Sequence, residues 1–352
     1  MKVLAALSGG VDSSVAAALL LDAGHEVTGV TMRLWGGPSD TGCCSVADVD
    51  DARRVAQQLG IAHHVFNFSD EFDALVMAPY VADHAAGRTP NPCVECNRHL
   101  KFDHLLRRAE ALGFDAVATG HHARVVTGPD GRRRVARGAD AAKDQSYVLH
   151  MLGADVLDRV LFPVGDLDKA AVRAEAERLG LRTADKPDSQ DVCFISATAG
   201  RERFLGDRIP LRPARIVDTA GTEVGTAPAV ELVTIGQRKG LGLAGGAAPR
   251  YVVAVDPGGP DHEPVVTVGA RADLLTDHLR LTGLRWSADP VPGPVAAQCS
   301  AHGPALAATL TSDGEGDGAA LRWDEPQRRV APGQSVVLYA GDVVVAGATA
   351  AP

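Results

Sequence analysis

The stretch Leu7-Ser-Gly-Gly-Val-Asp-Ser-Ser14 constrains this chain more than any other. It follows the apolar run VLAAL and opens an alanine-rich segment, so it reads as the turn between a buried strand and a helix. In that geometry successive backbone N–H groups and the helix N-terminus surround an anion. Gly9 and Gly10 permit the positive φ angles of such a nest, and Ser8, Ser13 and Ser14 add hydroxyl donors. The phosphate loop GxxxxGK[ST] reaches a nucleotide's outer phosphates with its lysine. Here that lysine is absent, and Asp12 stands in the loop instead. This suits a site that grips released pyrophosphate, with metal-assisted cleavage between the α and β phosphates.

The same alternation of strand and helix continues to about residue 190. Strands are expected at 3–7, 27–32, 64–68 and 116–119, and helices at 15–21, 46–59 and 99–112, with an amphipathic segment from Phe72 towards Ala86. Such a pattern implies a parallel sheet with ligands at its carboxyl edge, an α/β fold. Beyond about residue 205 the strands shorten and turn clusters separate them, as in Asp218-Thr-Ala-Gly221 and Asp256-Pro-Gly-Gly259. Further turn clusters follow at 289–292 and 312–316, and β-like runs recur from 279 to 346 without a helix. The expected organisation is therefore a catalytic domain over 1–200, a small mixed central domain over 205–270, and an antiparallel β-barrel over 275–352.

With 352 residues, 45% hydrophobic and 22% charged, the chain is long enough for two or three cored domains. It has no apolar run of about 18 residues. The N-terminus MKVLAALSGG is too short in apolar residues for a signal peptide, so a cytoplasmic location without membrane contact is expected. Six cysteines are too few for a disulfide scaffold. The net charge of −9 hides two basic clusters. Arg132, Arg133, Arg134, Arg137 and Lys143 face only Asp140, and five arginines within 201–215 face Glu202 and Asp207. Clusters of this kind can track a phosphate backbone.

SGGVDSS resembles the signature of the PP-loop ATP pyrophosphatases, whose domain is of the adenine nucleotide alpha hydrolase type. Further stretches narrow the likeness: GRTPNPCVECNRHLKFD (87–103), ATGHHAR (118–124), KDQSYVL (143–149), KPDSQDVCFI (186–195) and VTIGQRKGLG (233–242). In this order, along nearly the whole chain, they resemble the tRNA-specific 2-thiouridylases. The resemblance implies that ATP, with Mg2+, adenylates the 2-oxygen of the wobble uridine. A cysteine persulfide then supplies sulfur, leaving 2-thiouridine, AMP and pyrophosphate. It also implies a tRNA substrate and a sulfur-donor protein, either a cysteine desulfurase or a sulfur carrier.

Carried over by motif, Cys193 in QDVCFI is the persulfide carrier and Cys96 is the thiol that resolves it. The chemistry asks for two such thiols, because release of the outer sulfur leaves a disulfide between carrier and partner. The ATP contacts implied are Ala6, Leu7, Ser8, Gly9, Gly10, Val11, Asp12, Ser13, Met32 and Gly120. The tRNA contacts implied are Asn91, Pro92, Cys93, Lys143, Asp144 and Gln145, with Gln237-Arg238-Lys239 in the central part. At Gly120 a side chain would be expected to crowd the nucleotide, and His121 and His122 read as hydrogen-bonding scaffold.

Cys93 departs from the family, many of whose members carry aspartate there. Three readings stand open. Cys93 replaces the aspartate beside the target base; or Cys93, Cys96 and Cys193 ligate an iron–sulfur cluster; or a zinc site takes His99 as a nominal fourth ligand. Cys43, Cys44 and Cys299 receive no role. The barrel also departs from the family, reading QCSAHG at 298–303 where a basic aromatic pair is common, with Arg328 and Arg329 as substitutes. With 4% aromatic residues, recognition of RNA should rest on phosphates and hydrogen bonds more than on stacking. Two other classes compete: a small-molecule PP-loop ligase, which needs no paired cysteines, and an inactive RNA-binding protein, which needs no intact phosphate loop.

Overall fold

The computed structural model describes residues 1–35, 46–188, 192–195, 200–243, 248–290, 293–312 and 319–352. The chain divides into two compact units. The first comprises Met1–Met77, Pro92–Ser196 and Ala340–Ala346, and the second Ala78–Asn91, Ala197–Tyr339 and Gly347–Pro352.

In the first unit, β1 (Lys2–Ala6), β2 (Glu26–Arg33), β3 (His63–Asn67), β4 (Ala116–Ala118) and β7 (Val160–Leu161) form a parallel sheet in the order β3-β2-β1-β4-β7. β1 is central, and Val3 and Leu4 are fully buried, as a strand covered on both faces requires. Helix α1 (Val11–Asp22) is apolar on nearly every side. Its Ala17 and Leu20 pack with Val3, Ala5 and Leu7 of the β1 segment and Ala52 and Ala56 of α2 (Val46–Gln58). Val11, Val15 and Ala16 pack with Val172 and Ala176 of the Lys169–Arg178 helix. The alanines let this helix lie in the middle of a layer, between neighbours on both sides.

Two features of this unit differ from the expectation. The 99–112 helix starts earlier, as Pro92–Glu95, and is wound as a π-helix over Cys96–His104 before Leu105–Ala111 resumes α geometry. The segment after Ser69 is likewise π-wound over Asp73–Met77, and π-turns concentrate at functional sites. A hairpin of β5 (Ala123–Thr127) and β6 (Arg133–Arg137) also appears where only a basic cluster was read, and Val343 pairs with its Ala136.

In the second unit, β8 (Ala214–Asp218), β9 (Glu223–Ala227), β10 (Tyr251–Asp256) and β11 (Val265–Gly269) form a mixed sheet, order β10-β11-β8-β9, with only β8 and β11 parallel. β12 (Leu275–Trp286), β13 (Gly293–Gln298), β14 (Ala305–Ser312), β15 (Ala319–Arg328), β16 (Ser335–Ala340) and β17 (Val343–Ala350) form a six-stranded antiparallel barrel, closed by β17 on β12. The mixed sheet and the barrel agree with the sequence reading. Among the described residues, no helix is long and apolar enough to cross a membrane.

Candidate active site

The phosphate loop leaves the carboxyl end of β1. Leu7 N–H bonds Val30 O at 2.8 Å, and the Thr31 hydroxyl donates to Leu7 O at 2.8 Å. That hydroxyl has one proton, so His63 Nε2, 2.9 Å away, must donate to it. Gly9 has φ +74°, and a Cβ there would lie 2.4 Å from Asp48 O, so glycine is required twice over.

Gly10 begins α1 without a side-chain cap, leaving the N–H groups of the first turn for an anion. The serines act differently from the expectation. Ser13 and Ser14 hydroxyls donate to Gly10 O at 3.0 and 2.8 Å, and Ser13 Oγ accepts from Ser8 N–H at 3.2 Å. They brace the loop, and the first-turn backbone amides of α1 have no side-chain cap. Gly120 also differs: a Cβ there would meet Ser13 N at 2.5 Å and the Asp12 carbonyl carbon at 2.6 Å. The glycine makes room for α1 itself. Ala6 ends β1, and half-buried Met32 lies one residue before the end of β2, paired with Phe66.

The lysine missing from the loop arrives from elsewhere. Lys169 Nζ lies 2.7 and 2.8 Å from the two Asp12 carboxylate oxygens, and buried His122 places Nε2 3.1 Å from Asp12 Oδ1. Burial alone would raise the Asp12 pKa, but the hydrogen bonds from His122 and Lys169 and the lysine's charge outweigh it and hold the pKa below the usual value. Lys169 also contacts Asp188 Oδ1 at 2.8 Å. Asp188 accepts from Lys143 at 2.6 Å and Arg173 at 3.2 Å. There too burial opposes ionisation, yet Lys143 and Lys169 bring the pKa down to about 2. Lys169 was not picked out from the sequence, and His122 was read only as hydrogen-bonding scaffold. Lys169 carries a signal, since a cation in the first turn of a helix opposes the dipole.

The 143–145 segment sits behind this cluster. Gln145 clips His122, its Oε1 accepting from His122 N–H and its own N–H donating to His122 O, both at 2.9 Å. The Asp144 side chain is 5% exposed and accepts from Gly138 N, Ser146 N, Ser146 Oγ and Arg137 at 2.7–3.0 Å. The Asp144 carboxylate braces this segment internally.

Cys93 is half-buried in Pro92–Glu95, and buried Cys96 opens the π-helix. Half-buried Cys193 lies between Val192, a β-branched residue held at φ +47°, and buried Phe194. Strained backbone of this kind clusters at functional sites. Phe194 packs edge-on against Phe72, 5.6 Å between centroids. The Asp73–Met77 turn that follows Phe72 packs against both the Pro92–Glu95 and Cys96–His104 segments. Both cysteine-bearing segments therefore rest on one short stretch, 69–77. Pro92 is buried, and half-buried Asn91 belongs to the second unit.

Among the described residues, no three His, Cys, Asp or Glu side chains converge as a metal site, and Cys93, Cys96 and Cys193 are all described. His99 Nε2 is 3.2 Å from Glu95 Oε2. As placed, these donors do not fit a zinc ion or an iron–sulfur cluster. A single carboxylate, Asp12, beside a phosphate nest does fit Mg2+, which takes one or two carboxylates plus phosphate oxygens. Burial pushes the Cys299 thiol up to about 12, which makes it inert. Cys43 and Cys44 lie outside the described residues.

The basic clusters are largely paired internally. Arg134 bonds Asp130, Arg137 bonds Asp144, and Lys143 bonds Asp188. In the second cluster Arg212 bonds Glu231 at 2.8 Å, and Arg208 stacks over Phe204 at 3.9 Å. Gln237 spans its own loop, accepting from Thr234 N at 3.1 Å and donating to Lys239 O at 3.0 Å. The Arg329 N–H bonds Leu274 O at 2.8 Å.

Residues 1–197 match the family model described as the tRNA methyl transferase HUP domain. Residues 202–261 match the tRNA methyl transferase PRC-barrel domain, and 276–350 the aminomethyltransferase beta-barrel domain. The chain is 49% identical to the tRNA-specific 2-thiouridylase of Kineococcus radiotolerans, covering 99% of this chain and 98% of that protein. It is 49% identical to the protein of the same name from Mycobacteroides abscessus, covering 97% and 96%. The corresponding protein of Chloroflexus aurantiacus is 45% identical, over 98% and 97%.

Proposed function

This chain belongs to the tRNA-specific 2-thiouridylases, and on that premise we propose that it uses ATP to replace the 2-oxygen of the wobble uridine of tRNA with sulfur. The reading is supported by one compact unit that holds the phosphate loop, the Lys169–Asp12 ion pair and two cysteine segments resting on 69–77. The family model's description names methyl transfer, but a nest for phosphates with Asp12 and Lys169 serves pyrophosphate release, which methyl transfer does not use.

The first-turn amides of α1 and the Lys169 ammonium bind the phosphates and orient the α-phosphate. When bound, magnesium supplies charge neutralisation there, held by Asp12. The uridine 2-oxygen attacks the α-phosphate and pyrophosphate leaves, which turns a poor leaving group into AMP. The outer sulfur of a Cys193 persulfide adds to C2. The Cys96 thiolate then attacks the Cys193 sulfur, breaking the S–S bond and leaving its electron pair on the uridine sulfur as AMP departs. The product disulfide Cys96–Cys193 is reduced by an external thiol, and a sulfur-donor protein recharges Cys193. Cys93 stands beside the target base in place of an acid, with Asn91 and Pro92, and Lys143 reaches the RNA.

Single-turnover assays with each cysteine variant test this. Cys193→Ser should accumulate adenylated tRNA without sulfur, and Cys96→Ser should keep a persulfide on Cys193 without turning over. Cys93→Asp should remain active. Activity that tracks iron content, with no persulfide detectable on Cys193, would overturn the persulfide route in favour of a cluster. AMP release without tRNA would favour a small-molecule ligase.

A further inference from the structure

The amino end of α2 lies directly against the phosphate loop, since the Asp48 carbonyl occupies the space where a Gly9 Cβ would stand. The first two turns of α2 carry three carboxylates, Asp48, Asp50 and Asp51. Arg53 takes Asp50 at 3.1 Å. The Lys186 ammonium takes the other two, donating to Asp48 Oδ1 at 2.6 Å and Asp51 Oδ2 at 2.8 Å. Arg182 also reaches Asp51 Oδ1, at 3.0 Å. Burial opposes the lysine's charge, but the bonds to Asp48 and Asp51 outweigh it and hold the Lys186 pKa above the usual value. The chain that presents Lys186 is itself fixed. Arg173 donates to Ala184 O at 2.5 Å and to Lys186 O at 3.2 Å, and Ala184 shares a core cluster with Val11 and Val15 of α1. The Lys169–Arg178 helix therefore sends one cation to Asp12 and another to the backbone that carries Lys186.

We propose that Lys186 is a positioning residue of the phosphate loop, which holds α2 against Gly9 and neutralises Asp48 and Asp51 so that a triphosphate can bind beside them. This rests on the ATP-using reading above. Acidic residues in the first turns of a helix are favoured by its dipole, so α2 gains from these carboxylates. The same carboxylates stand at the wall of a nest for a polyanion, where like charge weakens binding. Lys186 resolves the conflict by pairing with both at once. Without it, only Arg182 would offset them. Lys186 acts on the phosphates through Asp48 and Asp51, whereas Lys169 is placed at Asp12 itself.

The test is calorimetry of a non-hydrolysable ATP analogue binding to the full chain. Lys186→Met should weaken the affinity about tenfold, the effect of one unit charge across roughly 10 Å of partly screened protein. Lys186→Arg should bind close to the parent. Asp48→Asn should tighten binding, and Lys186→Met/Asp48→Asn should regain most of what Lys186→Met loses. A lysine needed only for packing would give no such rescue. The gap between the parent and Lys186→Met should shrink in about 1 M salt, where the screening length is about 3 Å. Equal affinity in the parent and Lys186→Met overturns the proposal, as does a double variant that binds no better than Lys186→Met. If Lys186→Met does not fold, the sign of the Asp48→Asn effect decides, and weaker binding in that variant overturns the proposal. The two readings fail separately: thiolation of tRNA without ATP would sink the proposed activity, whereas the affinity series decides the role of Lys186 alone.

Discussion

Asp12 is pulled in opposite directions, by partial burial that disfavours its charge and by a lysine and a histidine that favour it. The second pull wins because Lys169 contacts both oxygens. Removing the lysine takes from Asp12 and Asp188 the cation they share. Lys169→Gln should therefore reduce tRNA-dependent AMP formation by roughly 10²- to 10³-fold, the usual loss for one electrostatic donor at a reacting phosphate or carbonyl. Asp12→Asn should abolish AMP formation while tRNA affinity, measured by filter binding, stays nearly unchanged. Normal AMP formation in either variant would remove that residue from the site. At this scale the cysteines were singled out only by resemblance, while the glycine turn between β1 and α1 was legible in sequence, because spacing within a motif survives in one dimension. Lys169 was not, since it stands 157 residues from Asp12. Its only local trace is a cation in a helix's first turn, which departs from dipole preference.

Among the elements, the Lys169–Arg178 helix is the one whose position the site depends on. Asp168 caps it, its carboxylate accepting from Ala171 N–H at 2.7 Å. Asp168→Ala should destabilise the protein by about 1 kcal/mol, read as a shift in the denaturant midpoint, with Asp168→Asn largely spared. Faster amide exchange over 169–178 should accompany it, and unchanged exchange would show that packing on α1 holds the helix without its cap. The parallel strands and α1 could be read from apolar runs and glycines. The π-winding of Cys96–His104 could not, because its residue types suit an α-helix equally and only packing decides the extra residue per turn. The β5–β6 hairpin was hidden for a related reason: its arginines read as a charge cluster, yet Arg134 and Arg137 point at Asp130 and Asp144.

For the whole molecule, internal pairing changes the electrostatic expectation. The two basic clusters suggest a steep salt dependence of tRNA binding when counted by residue. Since most of those cations already hold carboxylates or carbonyls, the log–log slope should be no more than about 4, roughly five neutralised phosphates. A slope near 8, on the same rule, would mean that the pairs open on binding. In the second unit, burial and the charge of Arg201 depress the His84 pKa to about 4, against a smaller pull from the Glu231 carbonyl and Asp83. The ring meets Tyr80 edge-on, 4.6 Å between centroids. The unfolded chain therefore binds this proton first, so the stabilisation is complete above about pH 6.5 and is lost as pH falls towards 4. The loss is on the order of 3 kcal/mol, and His84→Phe should flatten it in pH-dependent thermal unfolding.

The sequence alone determined the α/β order and the strand, glycine turn and helix of the first residues, because these depend on neighbours in the chain: an apolar strand and glycines that accept φ above zero. The cysteine pair came only from the resemblance to a family. Tertiary structure decided which charges meet. An ion pair is set by distances of about 3 Å between groups that the chain separates widely, and burial then fixes which of them stay charged. Hence Asp144, polar and motif-borne, became an internal brace. Lys169, unremarked in its helix, became the lysine that the phosphate loop lacks.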